Sequence, residues 1–328
     1  MANAALAEGP MDMMSRIQQA LDQQLALAHS ASAPPRLIAA MRHAVFPGGA
    51  RIRPQLCLAV AQACGEDAPE LTNAAAVAIE LLHCASLVHD DMPCFDDADT
   101  RRGHPTVHKV YGEPLALLSG DGLIVMAFQA LARAGAHHPQ RLAGLIQTVC
   151  TGTGAPDGIV AGQAWECEPR ASLSRYQRAK TGALFVASTC AGAQAAGADP
   201  AGWRALGDYL GEAYQVADDI RDVMLSSDEL GKPAGQDVQH QRPSAAADLG
   251  LVGAVEYFRR LMQDAVDSIP ECPSRSAMRH LVWKESERLM PQSTCDRICR
   301  EQPLALASGA VGPAAAQRHG MLAVRSAA

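Results

Sequence analysis

A chain of 328 residues can carry one large core or several small ones, so its length alone sets no domain count. Hydrophobic residues make up 48% and aromatic residues only 4%, with Ala and Leu abundant and β-branched residues sparse, a balance that points to an all-α protein. The net charge of -7 with scattered basic residues argues against a nucleic-acid partner, and ten cysteines without CxxC pairing read as free thiols of a reducing compartment.

The first residues include Glu8 and Asp12 and no early Lys or Arg, unlike a secretory signal, so the chain is expected to be cytoplasmic. Over residues 11–30, Ile17, Leu21, Leu25 and Leu27 recur at near-helical spacing. A short helix at 36–45 ends at Phe46-Pro47-Gly48-Gly49, and Pro54 suits the first turn of the next one. From Leu71 to Asp91 the pattern predicts a long amphipathic helix broken by Pro93. Further helices are predicted at 114–134, 140–152, 157–167, 174–196 and 202–224, then at 243–267 and 275–300 after a polar loop at 231–237. The longest apolar stretch, Leu115 to Ala136, is interrupted by Asp121, Gln129 and Arg133 and is not expected to span a membrane. Residues 1–302 read as a single helical domain and 303–328, rich in Ala and Gly, as a loosely ordered tail.

Two aspartate clusters stand out against this background: Asp90, Asp91, Asp96 and Asp97 after one helix, and Asp218, Asp219 and Asp222 near the end of another. Crowding carboxylates beside apolar segments costs repulsion and desolvation, which a multivalent cation removes. Mg²⁺ is usually held by one or two carboxylates together with substrate phosphates, so the clusters suggest a phosphorylated substrate. On a continuous helix Gln215, Asp218, Asp219 and Asp222 share one broad face, whereas Asp90 and Asp96 align only if Pro93 turns the chain back. A solvated helix end is the plainer reading of the second cluster taken alone, and a calcium loop an alternative for the first. Basic residues follow closely: Arg101 and Arg102 after the first cluster, Arg51 and Arg53 after Gly48-Gly49, and Lys180-Thr181 and Lys232 further on. Guanidinium groups opposite carboxylate-bound cations can grip a diphosphate and stabilise it as it leaves. Local salt bridging is the competing account, and His83, two turns before Asp90, can equally be a packed core residue.

The segments GGARIRP (48–54), HDDMPCFDDADTRRGHPTVHKVYGE (89–113), AGQ (161–163), KTGALF (180–185), YQVADDIRD (214–222) and GKPAGQD (231–237) follow one another as in the trans-isoprenyl diphosphate synthases, which this chain resembles from about residue 36 to 240. The resemblance implies a helix bundle around a deep cavity, usually a homodimer, with three Mg²⁺ ions between the two aspartate motifs. It implies Asp90, Asp91, Asp96, Asp218, Asp219 and Asp222 as metal ligands, directly or through water. Arg101, Lys180, Thr181, Gln215 and Lys232 would bind the allylic diphosphate, and Arg53, His83 and Arg102 isopentenyl diphosphate, with Arg51 as a further substrate-binding arginine. Catalysis would rest on Asp90, Asp96, Asp218 and Lys180: the allylic diphosphate ionises, isopentenyl diphosphate attacks the cation, and a proton is lost.

Product length in this family depends on bulk one turn before the first motif, where this chain has Ala85 and Ser86. Alanine there leaves the cavity open and implies the twenty-carbon geranylgeranyl diphosphate, as made for carotenoid and bacteriochlorophyll formation, with a farnesyl product as the alternative. Ala50 stands where the family usually has a lysine, a loss of about 1.5–3 kcal/mol for one charge-assisted contact. Ala50 also admits a catalytically weak partner subunit. A terpene cyclase would need a different second metal motif from the one around Asp218.

Overall fold

A computed structural model describes residues 12–46, 48–168, 173–224 and 244–301. At its centre lies α4 (Pro69–Asp90), which opens with proline in its first turn and with Glu70 facing the positive helix end. Ala75, Ala78, Ile79, Leu81 and Ala85 are all buried, so α4 presents no broad polar face and has to be enclosed by other helices. Its neighbours are α1 (Met13–Ala26), α2 (Pro35–Val45), α3 (Ile52–Ala63), α6 (Glu113–Gly135), α7 (Pro139–Thr153) and α10 (Ala183–Ala195).

A second apolar cluster surrounds α11 (Arg204–Met224), formed with α12 (Ala245–Asp267), α13 (Arg275–Leu289) and α14 (Gln292–Glu301). The two clusters are stitched together by α3 and α10. Cys57, Leu58, Leu184 and Ala187 belong to the first, while Leu56, Val60, Phe185 and Ala193 belong to the second. The all-α expectation holds, since the described strands are only Thr100–Arg101 and His104–Pro105, here β1 and β2.

The helices differ from expectation where the chain does chemistry or meets proline. The predicted 174–196 helix is three pieces: α9 (Leu173–Gln177), a π turn at Arg178–Gly182, and α10. A π turn widens the helix and redirects the side chains on it. The predicted 275–300 helix divides before Gln292, at Pro291, whose ring cannot continue a helical turn. One short element escaped the sequence pattern, α5 (Val107–Tyr111), while the predicted 157–167 helix is α8 (Ile159–Ala164) followed by a tighter 3-10 turn at Trp165–Cys167.

By length and composition alone α4 and α6 are both long and apolar enough to cross a membrane, a test that the core helices of a helical bundle also pass. In α4 that stretch is 78% buried in protein. The face of α6 turned from α4 leaves Leu117, Leu118 and Val125 exposed. The predicted tail at 303–328 and the loop at 231–237, with Lys232, lie outside the described residues.

Candidate active site

The first aspartate cluster forms because α4 stops at Asp90 and the chain doubles back. The Asp96 amide donates to the Asp90 carbonyl at 3.0 Å, and the Ala98 amide to that of Asp91 at 3.1 Å. One carboxylate oxygen each from Asp90, Asp96 and Glu166 then lie within 4.8 Å of one another. Glu166 was missed in the sequence because a lone glutamate after AGQ has no partner nearby in the chain. It arrives through α8, which packs so closely on the π turn that a Cβ on Gly162 would sit 2.3 Å from the Lys180 amide. That approach requires glycine and explains the AGQ segment.

Lys180 Nζ donates to Glu166 at 2.6 Å and to Asp90 at 3.0 Å. Glu166 also accepts from Tyr176 Oη at 2.6 Å and Gln163 Nε2 at 3.1 Å. Burial pulls the Lys180 ammonium down, but Asp90, Tyr176 and Glu166 outweigh it and leave the group raised. The next residue turns the other way: Thr181 Oγ1 donates to Gln215 Oε1 at 3.0 Å. The π turn therefore links the first cluster, through Lys180, to the helix of the second, through Thr181.

Adjacent arginines are separated by a hairpin turn. Arg102 and Gly103 both have positive φ, 56° and 77°, between β1 and β2, the conformation of a two-residue hairpin loop. Arg101 is directed to Asp91, its Nε donating at 2.8 Å, with Asp90 at 3.6 Å. Arg102 instead reaches His83, Nη2 to Nε2 at 3.4 Å, and Arg53 approaches the same nitrogen at 3.5 Å. A Cβ on Gly49 would lie 2.7 Å from the Arg102 guanidinium, so glycine there makes room for it. Arg53 is stacked on Phe185, 4.4 Å from the ring centre, and its buried Nε has no hydrogen-bond partner. Burial and the neighbouring arginines hold His83 well below the usual histidine range, so it faces both cations as a neutral ring. Among the described residues no carboxylate pairs with Arg53 or Arg102. Two cations about a neutral histidine, one with an orphaned donor, form a site for an anion.

Arg51 departs from its expected role. Its side chain is fully buried and held by an ion pair to Glu80 and a hydrogen bond to the Val45 carbonyl, so its fork faces the interior. Asp219 is also engaged: it accepts from Gln215 Nε2 at 2.8 Å and from the Ala245 amide at 2.8 Å, fixing the start of α12. Asp222 is buried near it, while Asp218 is partly exposed with Arg221 at 3.6 Å. Lys109 makes surface pairs with Asp97 and Asp99, the local salt bridging that charge alternation allowed. Ala85 is buried in the apolar core, and Ser86 Oγ donates to the His83 carbonyl at 2.8 Å.

The donor set fits a divalent cation. Asp90 ends α4 and Asp222 lies in the last turn of α11, where the helix dipole opposes negative charge. Burial raises Asp91 against the pull of Arg101, and burial and Asp90 together raise Asp96. Oxygen ligands crowded in this way are what Mg²⁺ accepts.

A polyprenyl synthetase family model matches residues 34–275. The geranylgeranyl diphosphate synthase of Cereibacter sphaeroides is 51% identical over 88% of this chain and 100% of its own length. That of Rhodobacter capsulatus is 48% identical over 85% of this chain and 97% of its own. A Helicobacter pylori geranyltransferase, solved with magnesium and isoprenyl diphosphate, superposes with TM-score 0.66 at 29% identity, covering 86% of this chain and 97% of that one. The fold and site define an all-α prenyltransferase. The chain belongs to the polyprenyl synthetase family.

Replacing Arg53 with Leu keeps the stacking volume on Phe185 and removes the cation. We expect the KM for isopentenyl diphosphate to rise about 10- to 100-fold, the scale of one lost charge-assisted contact, with a smaller change for the allylic substrate. Steady-state kinetics with each substrate varied in turn checks this, and equal changes for both would assign Arg53 elsewhere.

Proposed function

We propose that this protein extends allylic diphosphates with isopentenyl diphosphate in a magnesium-dependent reaction ending at geranylgeranyl diphosphate. The observation that carries the reading is the pairing of two dissimilar sites: carboxylates gathered beside Lys180, which suit a cation, and the cationic group of Arg53 and Arg102 about His83, which suits an anion. Asp90, Asp91, Asp96, Asp218 and Asp222 would hold the metal, with Glu166 beside them and Asp219 orienting Gln215. Bound Mg²⁺ supplies Lewis-acid polarisation of the leaving diphosphate oxygens. Lys180 and Arg101 donate to that diphosphate as the allylic C–O bond breaks, while Arg53 and Arg102 hold the second substrate for attack on the cation. The proton then lost can pass to the departing pyrophosphate, so no side-chain base is required. Incorporation of labelled isopentenyl diphosphate, abolished by a chelator and restored by Mg²⁺, tests the reading.

The names and 51% and 48% identities of the two bacterial relatives support the twenty-carbon product. Ala85→Phe is expected to shift most product to fifteen carbons by placing an aromatic one turn before Asp90. Chromatography of the dephosphorylated products checks it, with circular dichroism confirming that the larger side chain leaves the helices intact. An unchanged product length would place the determinant elsewhere.

The exposed apolar face of α6 supports a homodimer in solution. All ten cysteines are free thiols, which supports a reducing, cytoplasmic setting.

A further inference from the structure

A groove of about 740 Å³ runs between α7, the π turn, α10 and the start of α11, and none of the metal- or diphosphate-binding candidates lines it. Its volume lies within the ordinary range for small-molecule sites. Its wall is mixed: Trp165, Val186 and Pro200 are apolar, Arg175, Arg178 and Arg204 bring three guanidinium groups, and Asp157 and Asp208 bring two carboxylates. Arg204 stands 3.9 Å from Asp208, a loose pair, and among the described residues Arg175 and Arg178 make no ion pair. Burial pushes the Asp208 carboxyl up while Arg204 and Arg178 pull it down, so both guanidinium groups bear on the same end of the groove.

The groove is joined to the reacting centre by the chain itself. Trp165 immediately precedes Glu166, and Arg178 and Ala179 immediately precede Lys180, so groove wall and catalytic ion pair share two short segments. We infer that the groove is a second binding site, for a phosphorylated amphiphile, and that its occupation lowers prenyl transfer by shifting Glu166 against Lys180. The arginine forks match phosphate oxygens, and Trp165, Val186 and Pro200 take the apolar body. A small displacement suffices, because misplacing a catalytic group by about 1 Å can cost 10²-fold.

Dodecyl phosphate, below its micelle concentration, is the probe. Calorimetry should show saturable binding that Lys180→Ala retains and that Arg178→Glu and Arg204→Glu each weaken at least tenfold. Ala201→Trp, on the exposed rim of the groove, should weaken it similarly by filling the space. Inhibition of the wild-type enzyme should be noncompetitive with the allylic diphosphate and relieved by the same substitutions. Farnesyl phosphate, measured alongside, separates the sources: tighter binding than dodecyl phosphate assigns the site to isoprenoid phosphates, weaker binding to linear alkyl phosphates. Absence of saturable binding, purely competitive inhibition, or binding lost in Lys180→Ala but kept in Arg178→Glu would overturn the inference.

Discussion

Asp90→Asn should lower kcat by about 10³-fold, roughly 4 kcal/mol of transition-state stabilisation, while leaving the helices intact. The size of the effect follows from the position of this carboxylate. It belongs to the group of close oxygens with Asp96 and Glu166, and it also accepts from Lys180 at 3.0 Å. The amide removes a negative charge from a cation site and leaves Glu166 as the carboxylate paired with Lys180. A raised magnesium requirement should accompany the loss, because fewer charged oxygens remain to hold the ion. Rapid-quench measurement of a single turnover, with circular dichroism as the fold control, separates this from slow product release. A variant with unchanged single-turnover rate would remove Asp90 from the metal site.

Arg51→Ala is the second large effect, and it concerns stability. Arg51 and Glu80 are 0% and 2% exposed in their side chains, so removing the cation strands a buried carboxylate. Breaking a buried pair from one side costs about 3–5 kcal/mol. Arg51 also sits in the left-handed region at φ 50°, a backbone conformation that the ion pair helps to hold. Urea unfolding should show the loss as a lower midpoint, and Arg51→Ala combined with Glu80→Leu should recover part of it, since no unpaired charge then remains. The contrary outcome, unchanged stability with a raised KM for isopentenyl diphosphate, would return Arg51 to the binding role its sequence neighbourhood suggested.

Arg51 and Arg53 show where reading the sequence stops. Both follow the same glycine pair, and spacing alone made them equivalent forked donors. Which one turns inward depends on Glu80, nearly thirty residues away, and on Phe185 as a platform for the other. The helices were legible because their apolar repeats and prolines act locally, and α4 and α11 fall close to the predicted spans. The π turn at Arg178–Gly182 was not, because its extra residue is imposed by packing against α8 and α11 rather than by any local signal. Glu166 was invisible for the same reason. Asp96 was the opposite case: Pro93 announced a chain reversal, and the Asp96 amide does meet the Asp90 carbonyl. Asp219 looked like its neighbours in sequence, yet the start of α12 lies against it and takes one of its oxygens.

The central claim is that this site builds a prenyl chain and stops at twenty carbons. Purified protein incubated with Mg²⁺, isopentenyl diphosphate and each allylic primer in turn, followed by mass spectrometry of the diphosphate products, tests it most directly. The account predicts geranylgeranyl diphosphate as the end product from every primer that is accepted. A fifteen-carbon end product would contradict the reading of Ala85, and failure to extend any primer would contradict the assignment of the site itself.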